Sequence, residues 1–254
     1  MKLKIIAIQI TESLSVIIPA YNEEARIEKT LEGINKFFQE NSINGEIIVV
    51  NDGSSDRTAQ IVSTVKNSCW VPITYIFQNN RGKGSAVKKG MLASSSELRL
   101  FTDADGATDI YETFKLYSAL KKANADGSIG SRALKDSVIL TPQSLLRKIT
   151  GSTLRTITNT TILPGTHDTQ CGHKLFTKEF VKLIFPKLTI DGFSFDLELL
   201  YLARLYKQLI VEVPIVWEDK AGSKVDPFKE SYRFVHTIGS LYKNRFQGIY
   251  GNLP

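Results

Sequence analysis

Short apolar runs alternate with longer amphipathic stretches through the first half of the chain. LSVIIP at Leu14–Pro19, EIIVVN at Glu46–Asn51, ITYIF at Ile73–Phe77 and LRLFT at Leu98–Thr102 are bounded by turn-forming residues. Their apolar positions do not alternate strictly with polar ones, which predicts strands of a sheet covered on both faces. Ile27, Leu31, Ile34 and Phe38 recur at the spacing of one helical face and predict a helix over Glu24–Asn41, with Asn22 as a candidate cap. Asp52-Gly-Ser-Ser-Asp-Arg-Thr reads as a turn into a second helix, Arg57–Lys66. This alternation implies parallel strands joined by right-handed crossovers, whose ligands sit beyond the carboxyl ends of the strands.

The second half is less regular. Gly127–Gly130 and Ile210–Pro214 read as further strands, and helical patterns cover Thr108–Asn124, Gln143–Ile162, Phe195–Tyr206 and Phe228–Lys243. No repeat, linker or composition shift marks a boundary, so residues 1–254 are read as a single domain.

Composition narrows the function classes. With 42% apolar and 23% charged residues the chain is an ordinary folded protein. A formal charge of +6 favours phosphate-rich ligands or an anionic membrane surface and falls short of a nucleic-acid binder's excess. Cys69 and Cys171 cannot build a disulfide framework or a four-ligand zinc site, which fits a reducing, cytoplasmic compartment. Ile5–Ile10 is too short for a signal-peptide core or a membrane span, so the chain as given is not expected to cross a bilayer.

Chemistry collects at the predicted strand ends. After the first comes Pro19-Ala-Tyr-Asn-Glu23, after the second Asn51-Asp-Gly-Ser, after the third Asn79-Asn-Arg-Gly-Lys-Gly84, and after the fourth Asp103-Ala-Asp105. An aromatic ring, carboxylates, a glycine-flanked lysine and paired aspartates suit a nucleoside diphosphate with a divalent metal. The base would stack on Tyr21 or bond to Asp52, and Asp103 with Asp105 would hold Mg²⁺ or Mn²⁺ bridging phosphate oxygens. Gly82-Lys-Gly84 lacks the P-loop spacing, and no Gly-x-Gly-x-x-Gly follows the first strand, so neither a P-loop nucleotidase nor a dinucleotide oxidoreductase is implied.

SVIIPAYNEEARI, IIVVNDGSSDRT, NRGKGSAVKKG and FTDADGAT, in that order, resemble the inverting family 2 glycosyltransferases of the GT-A fold, with a Rossmann-like, mostly parallel sheet flanked by helices. GSRA at Gly130–Ala133 and DTQCGHKLF at Asp168–Phe176 are similar to the polyprenyl-phosphate branch, most of all to its dolichyl-phosphate β-glucosyltransferases. The similarity covers roughly residues 14–220. The resemblance implies an α/β hexosyltransferase that moves glucose from UDP-glucose to dolichyl or another polyprenyl phosphate. Residues 14–107 would form the nucleotide-sugar half and 108–254 the acceptor half. Pro19, Tyr21, Glu23, Asp52, Asn79, Lys83 and Asp103 would bind the donor nucleotide, and Asp103 and Asp105 the metal. Arg132, Arg147 and Lys148 would bind acceptor phosphate, with Asp105, Asp168 and Arg132 at the catalytic centre and Asp168 as a base or an orienting group.

Two positions depart from the branch patterns. Ala107 stands where the mannosyl enzymes carry a further metal-binding Gln, and His173 where Phe usually follows DTQCG. The rival readings are a related transferase using GDP-mannose, a UDP-N-acetylhexosamine or a non-lipid acceptor, and a non-catalytic sugar-nucleotide-binding module. His167, His173 and His236 show no metal spacing and read as structural or surface residues. The tail from Phe228 interleaves basic and aromatic residues, and suits either an anionic leaflet or packing on the domain. The expected setting is peripheral, at the cytoplasmic face of a membrane: the endoplasmic reticulum in a eukaryote, the plasma membrane in a prokaryote.

Overall fold

The four predicted strands form β1 (Leu14–Ala20), β2 (Gly45–Asp52), β3 (Ile73–Gln78) and β4 (Leu98–Thr102) in a computed structural model that describes residues 8–141, 155–220 and 227–251. Strand residues alternate between two apolar layers. Val16, Ile18, Ile47 and Val49 face one side of the sheet, Ile17, Ile48 and Val50 the other, so no position is left for a polar stripe. On the first side lie α1 (Ile27–Glu40), α2 (Thr58–Lys66) and α4 (Thr113–Ala123). On the second lie α3 (Lys83–Ala93), α6 (Lys178–Ile184), α7 (Phe195–Leu205) and α8 (Pro227–Phe246). Residues 155–161 form α5.

The remaining strands are β5 (Gly127–Ser131), β6 (Val138–Ile139), β7 (His173–Thr177), β8 (Ile210–Pro214) and β9 (Val216–Trp217). The main sheet runs β3-β2-β1-β4-β7-β5-β8, and a small second sheet pairs β6 with β9. All neighbours in the main sheet are parallel except β7, which is antiparallel to both β4 and β5. The chain reverses its stepping direction between β1 and β4, and in such sheets the crevice at that point takes the ligand.

Several expected boundaries shift for local reasons. Asn22 does not cap α1: its backbone is left-handed (φ 54), and its Oδ1 accepts the Ser55 amide of the loop after β2. At α2 the Asp56 carboxylate accepts the Thr58 amide and hydroxyl at 3.0 and 2.5 Å. The helix predicted from Thr108 begins with a 3-10 turn at Ile110–Glu112 and ends in the left-handed Asn124. β6, β7, β9 and α6 had no predicted counterpart. The tail packs on the domain through Phe234, Ile238, Leu241 and Tyr250, which are buried, while Val235, Phe246 and Ile249 face outward. Among the described residues no helix is long and apolar enough to cross a membrane.

Candidate active site

Asp103 and Asp105 follow β4 directly, and the loop between them is fixed from below. Thr30 of α1 donates its hydroxyl to the Ala104 carbonyl (2.8 Å), and the Ala107 amide donates to Asp105 Oδ1 (3.0 Å). The Ala107 side chain offers no ligand atom. Burial, followed by the neighbouring Asp103 charge, pushes the Asp105 carboxyl above its usual range, which is the electrostatics of a centre short of positive charge. The Asp103 amide donates to the Gly172 carbonyl (3.1 Å), and a Cβ at Gly172 would lie 1.9 Å from Asp103 Oδ2. The glycine of DTQCG is therefore the floor beneath the Asp103 carboxylate.

Lys83 heads α3, and its ammonium meets Asp103 Oδ1 at 2.5 Å. Burial works against the charged form, but Asp103, Asp196 and Asp105 outweigh it and hold Lys83 above the usual lysine range. The glycines beside it serve packing. A Cβ on Gly84 would meet the Ile190 carbonyl at 2.5 Å and Phe195 Cβ at 2.6 Å, and Gly82, at φ 116, lies against the Asp191 carbonyl. The segment 190–195 thus seats directly on the start of α3, and the Phe193 ring lies 5.8 Å from the Lys83 ammonium. From Phe193 a groove of about 500 Å³ opens between Ile190, Gly192 and Ser194 on one side and Thr237 and Ser240 of α8 on the other.

Asp52 and Glu23 are committed to the loops around this centre. Asp52 is buried, accepting Gln78 Nε2 (2.7 Å) and the Arg81 amide (2.9 Å) at one oxygen and the Gly82 amide (2.8 Å) at the other. It locks the β3–α3 turn, and Gln78 stands opposite it in the β2–β3 register. Glu23 grips Arg26 through Nε (2.7 Å) and Nη2 (2.8 Å), and Arg26 is among the charges acting on Asp105. Tyr21 and Asn79 stand exposed at the ends of β1 and β3, and Pro19 is half-buried within β1.

Arg132 follows β5 and is chelated by Asp168. Its Nε donates to Oδ2 (2.7 Å), its Nη2 to Oδ1 (2.9 Å), and its own amide to Oδ2 (2.9 Å). The guanidinium also lies 5.4 Å from the Trp217 ring, and its Nη1 has no protein partner among the described residues. Burial opposes ionisation of Asp168, yet the Arg132 charge overrides it and holds the carboxyl at about 2; the Asp168 charge in turn raises the guanidinium. A carboxylate bound this way orients a cation and has little basicity left for a proton. Arg147 and Lys148 lie outside the described residues.

Two buried groups, Lys174 and Asp196, escaped the sequence reading. Lys174, fully buried on β7, donates to the Cys171 carbonyl (2.6 Å) and to Asp196 (2.5 Å) in the first turn of α7. His173 is enclosed between the Thr102 and Thr113 hydroxyls, a structural role as expected. Burial pushes the Cys171 thiol up to about 12, so it is inert. Lys174 and Asp196 stand 22 positions apart on separate elements, so no local pattern announces them.

The donor set fits a hard divalent cation. Asp103 and Asp105 on one loop would supply carboxylate oxygens, the ligand type that Mg²⁺ and Mn²⁺ take. The profile of glycosyl transferase family 2 matches residues 15–185. The chain belongs to glycosyltransferase family 2. A dolichyl-phosphate β-glucosyltransferase of Dictyostelium discoideum is 38% identical over 93% of this chain and 76% of its own length. The human protein of that description is 32% identical over 86% of this chain and 71% of its own. Among solved structures, glucosyl-3-phosphoglycerate synthase of Mycobacterium tuberculosis, in complex with Mn²⁺, UDP-glucose and glycerol 3-phosphate, superposes with TM-score 0.67. It is 17% identical, over 91% of this chain and 80% of its own, and shares the fold. The expected GT-A fold and hexosyltransferase class are thereby borne out.

Proposed function

We propose that this family 2 enzyme transfers glucose from UDP-glucose to a polyprenyl phosphate, dolichyl phosphate in a eukaryotic setting, with inversion and with Mg²⁺ or Mn²⁺ as cofactor. The observation that carries the reading is the pairing of two charge centres along one strand edge. Lys83, Asp103 and Asp105 form the first, Arg132 with Asp168 the second, and the DTQCG segment runs from Asp168 to the floor under Asp103 at Gly172. The named activity of the relatives supports the acceptor and the sugar. The ligands of the fold neighbours support a UDP-sugar and a divalent ion.

The division of labour follows from the chemistry of the reactants. A phosphate monoester has a second pKa of about 6 and is already a nucleophilic anion at pH 7, so no strong base is needed. Asp168, held at about 2, keeps Arg132 in place, and the open Nη1 edge of that guanidinium grips the acceptor phosphate. Tyr21 would stack on the base, while Asp52 holds the loop that presents Lys83 to the diphosphate. When bound, the cation neutralises charge developing on the departing diphosphate. Residues 14–107 would then serve the donor and 108–254 the acceptor within one domain. The outward Val235, Phe246 and Ile249 of the C-terminal segment suit peripheral contact with the cytoplasmic face of a membrane.

The test is turnover of radiolabelled UDP-glucose, GDP-mannose and UDP-N-acetylglucosamine, each with polyprenyl phosphate and free polyprenol. UDP-glucose with the phosphate is the expected productive pair. Arg132→Ala should cut acceptor-side kcat/KM by roughly 10- to 150-fold, the worth of one charge-assisted contact, and leave UDP-glucose affinity unchanged. Loss of donor affinity with an unchanged acceptor KM, or free polyprenol serving as well as its phosphate, refutes the reading.

A further inference from the structure

Asp103 is asked to do two things at once. As a candidate metal ligand it must offer its oxygens to a cation, yet the Lys83 ammonium already lies 2.5 Å from one of them. Lys83 is also acted on by Asp105 and Asp196, and Asp196 is tied to Lys174 at 2.5 Å. Three carboxylates and two ammoniums therefore meet in one mostly buried centre, which stays one formal unit negative when the neutral Arg26–Glu23 and Arg132–Asp168 pairs beside it are counted. A divalent cation added alone, with Lys83 in place, would set two positive groups on one carboxylate where low dielectric magnifies repulsion. A diphosphate added alone would bring negative charge onto a centre that is negative already. Added together, the two offset one another.

The backbone that carries Lys83 cannot move to resolve this. Asp52 pins the Arg81 and Gly82 amides, and Gly84 is pressed against Ile190 and Phe195. The four-carbon stem can move, because it ends in a compact ammonium with three rotatable donors. Phosphate oxygens arriving beside it give that ammonium a second acceptor, and release Asp103 for the cation.

We propose that Lys83 guards Asp103 until a nucleoside diphosphate draws its ammonium away, so that cation and nucleotide load as a unit and neither binds well alone. The inference rests on the donor-site reading above. It assigns Lys83 two opposite effects on two ligands, which a plain phosphate contact or a purely structural residue does not have. By linkage, whatever UDP does for Mn²⁺ affinity, Mn²⁺ does equally for UDP.

The experiment is direct binding on the full chain, Mn²⁺ by its free-ion electron paramagnetic resonance signal and UDP by calorimetry. Each is measured alone (UDP alone in EDTA) and with the other saturating, in wild type, Lys83→Met and Lys83→Arg. Lys83→Met should bind Mn²⁺ alone roughly tenfold tighter or more, and UDP alone roughly tenfold weaker, as expected for the loss of one charged contact. The Mn²⁺–UDP coupling should shrink accordingly. Lys83→Arg retains the competing charge and should bind Mn²⁺ alone as weakly as wild type. Mn²⁺ affinity unchanged or weakened in Lys83→Met overturns the inference, as does wild-type Mn²⁺ affinity indifferent to UDP, which needs no variant. If wild type fails to bind UDP even with Mn²⁺, the donor-site reading itself falls and takes the inference with it.

Discussion

His173 sits where both its ring nitrogens reach hydroxyls, Nδ1 to Thr102 Oγ1 at 3.1 Å and Nε2 to Thr113 Oγ1 at 3.2 Å, with no water-facing surface. Burial pushes its imidazole down to about 4, although the Asp103 charge acts the other way. The unfolded chain takes up a proton near pH 6.5 that the native protein refuses until about pH 4, so stability is full above that window and lost as pH falls through it. The linked loss is about 3 kcal/mol between these limits. His173→Phe should therefore flatten the fall in urea midpoint between pH 7 and pH 4.5; an unchanged slope would show that the acid sensitivity lies elsewhere. Asp168 obeys the same sign at lower pH: its pair with Arg132 stabilises above about 4 and is lost towards about 2. A second residue-scale expectation concerns Gly172, where any Cβ collides with the Asp103 carboxylate. Gly172→Ala should fold and yet lose at least about tenfold in Mn²⁺-dependent UDP affinity, since even a small displacement of a ligating group is costly. Calorimetry that finds normal affinity would place Asp103 outside the metal site.

Two helical glycines should respond in opposite directions to the same substitution. At Gly33, in α1, a Cβ has nothing within 4 Å, so Gly33→Ala should raise stability by about 0.5–1 kcal/mol through helix propensity. At Gly84 a Cβ meets backbone and the packed Phe195, and Gly84→Ala should cost about 1–3 kcal/mol in spite of the same propensity. Thermal melts of the two variants check the pair, and a rise at both would mean that the 190–195 segment does not press on α3. This contrast also marks where the sequence was legible. β1 to β4 could be read because helices cover both faces and leave each strand nearly all apolar, and the chemistry then had to lie at their ends. β7 could not be read, because His173 and Lys174 look like surface residues until Thr102, Thr113 and Asp196 are brought to them. For the same reason the residue types of the site were readable and its pairings were not: Lys83 with Asp103, Arg132 with Asp168 and Lys174 with Asp196 each join distant segments.

Across the whole molecule, basic character and outward apolar side chains meet near the C-terminal end of α8, where Lys243 and Arg245 flank Phe246 and Ile249. Exchanging Phe246 and Ile249 together for Glu should weaken co-sedimentation with anionic vesicles by roughly tenfold or more, from the lost apolar transfer alone. UDP affinity in solution should not change, and unaltered vesicle binding would assign membrane contact to another face. The placement of β7 has a consequence of a different kind, for the order in which a growing chain can assemble. β1 to β4 pair among themselves and are all made by residue 102, whereas β5 reaches them only through residues 173–177, and its other neighbour comes at 210–214. A nascent chain that stops short of β7 leaves open the edges of β4 and β5 that β7 covers in the folded protein. Unpaired edges of that sort recruit other chains, so the interval of translation between β5 and β7 is when this polypeptide most needs a chaperone.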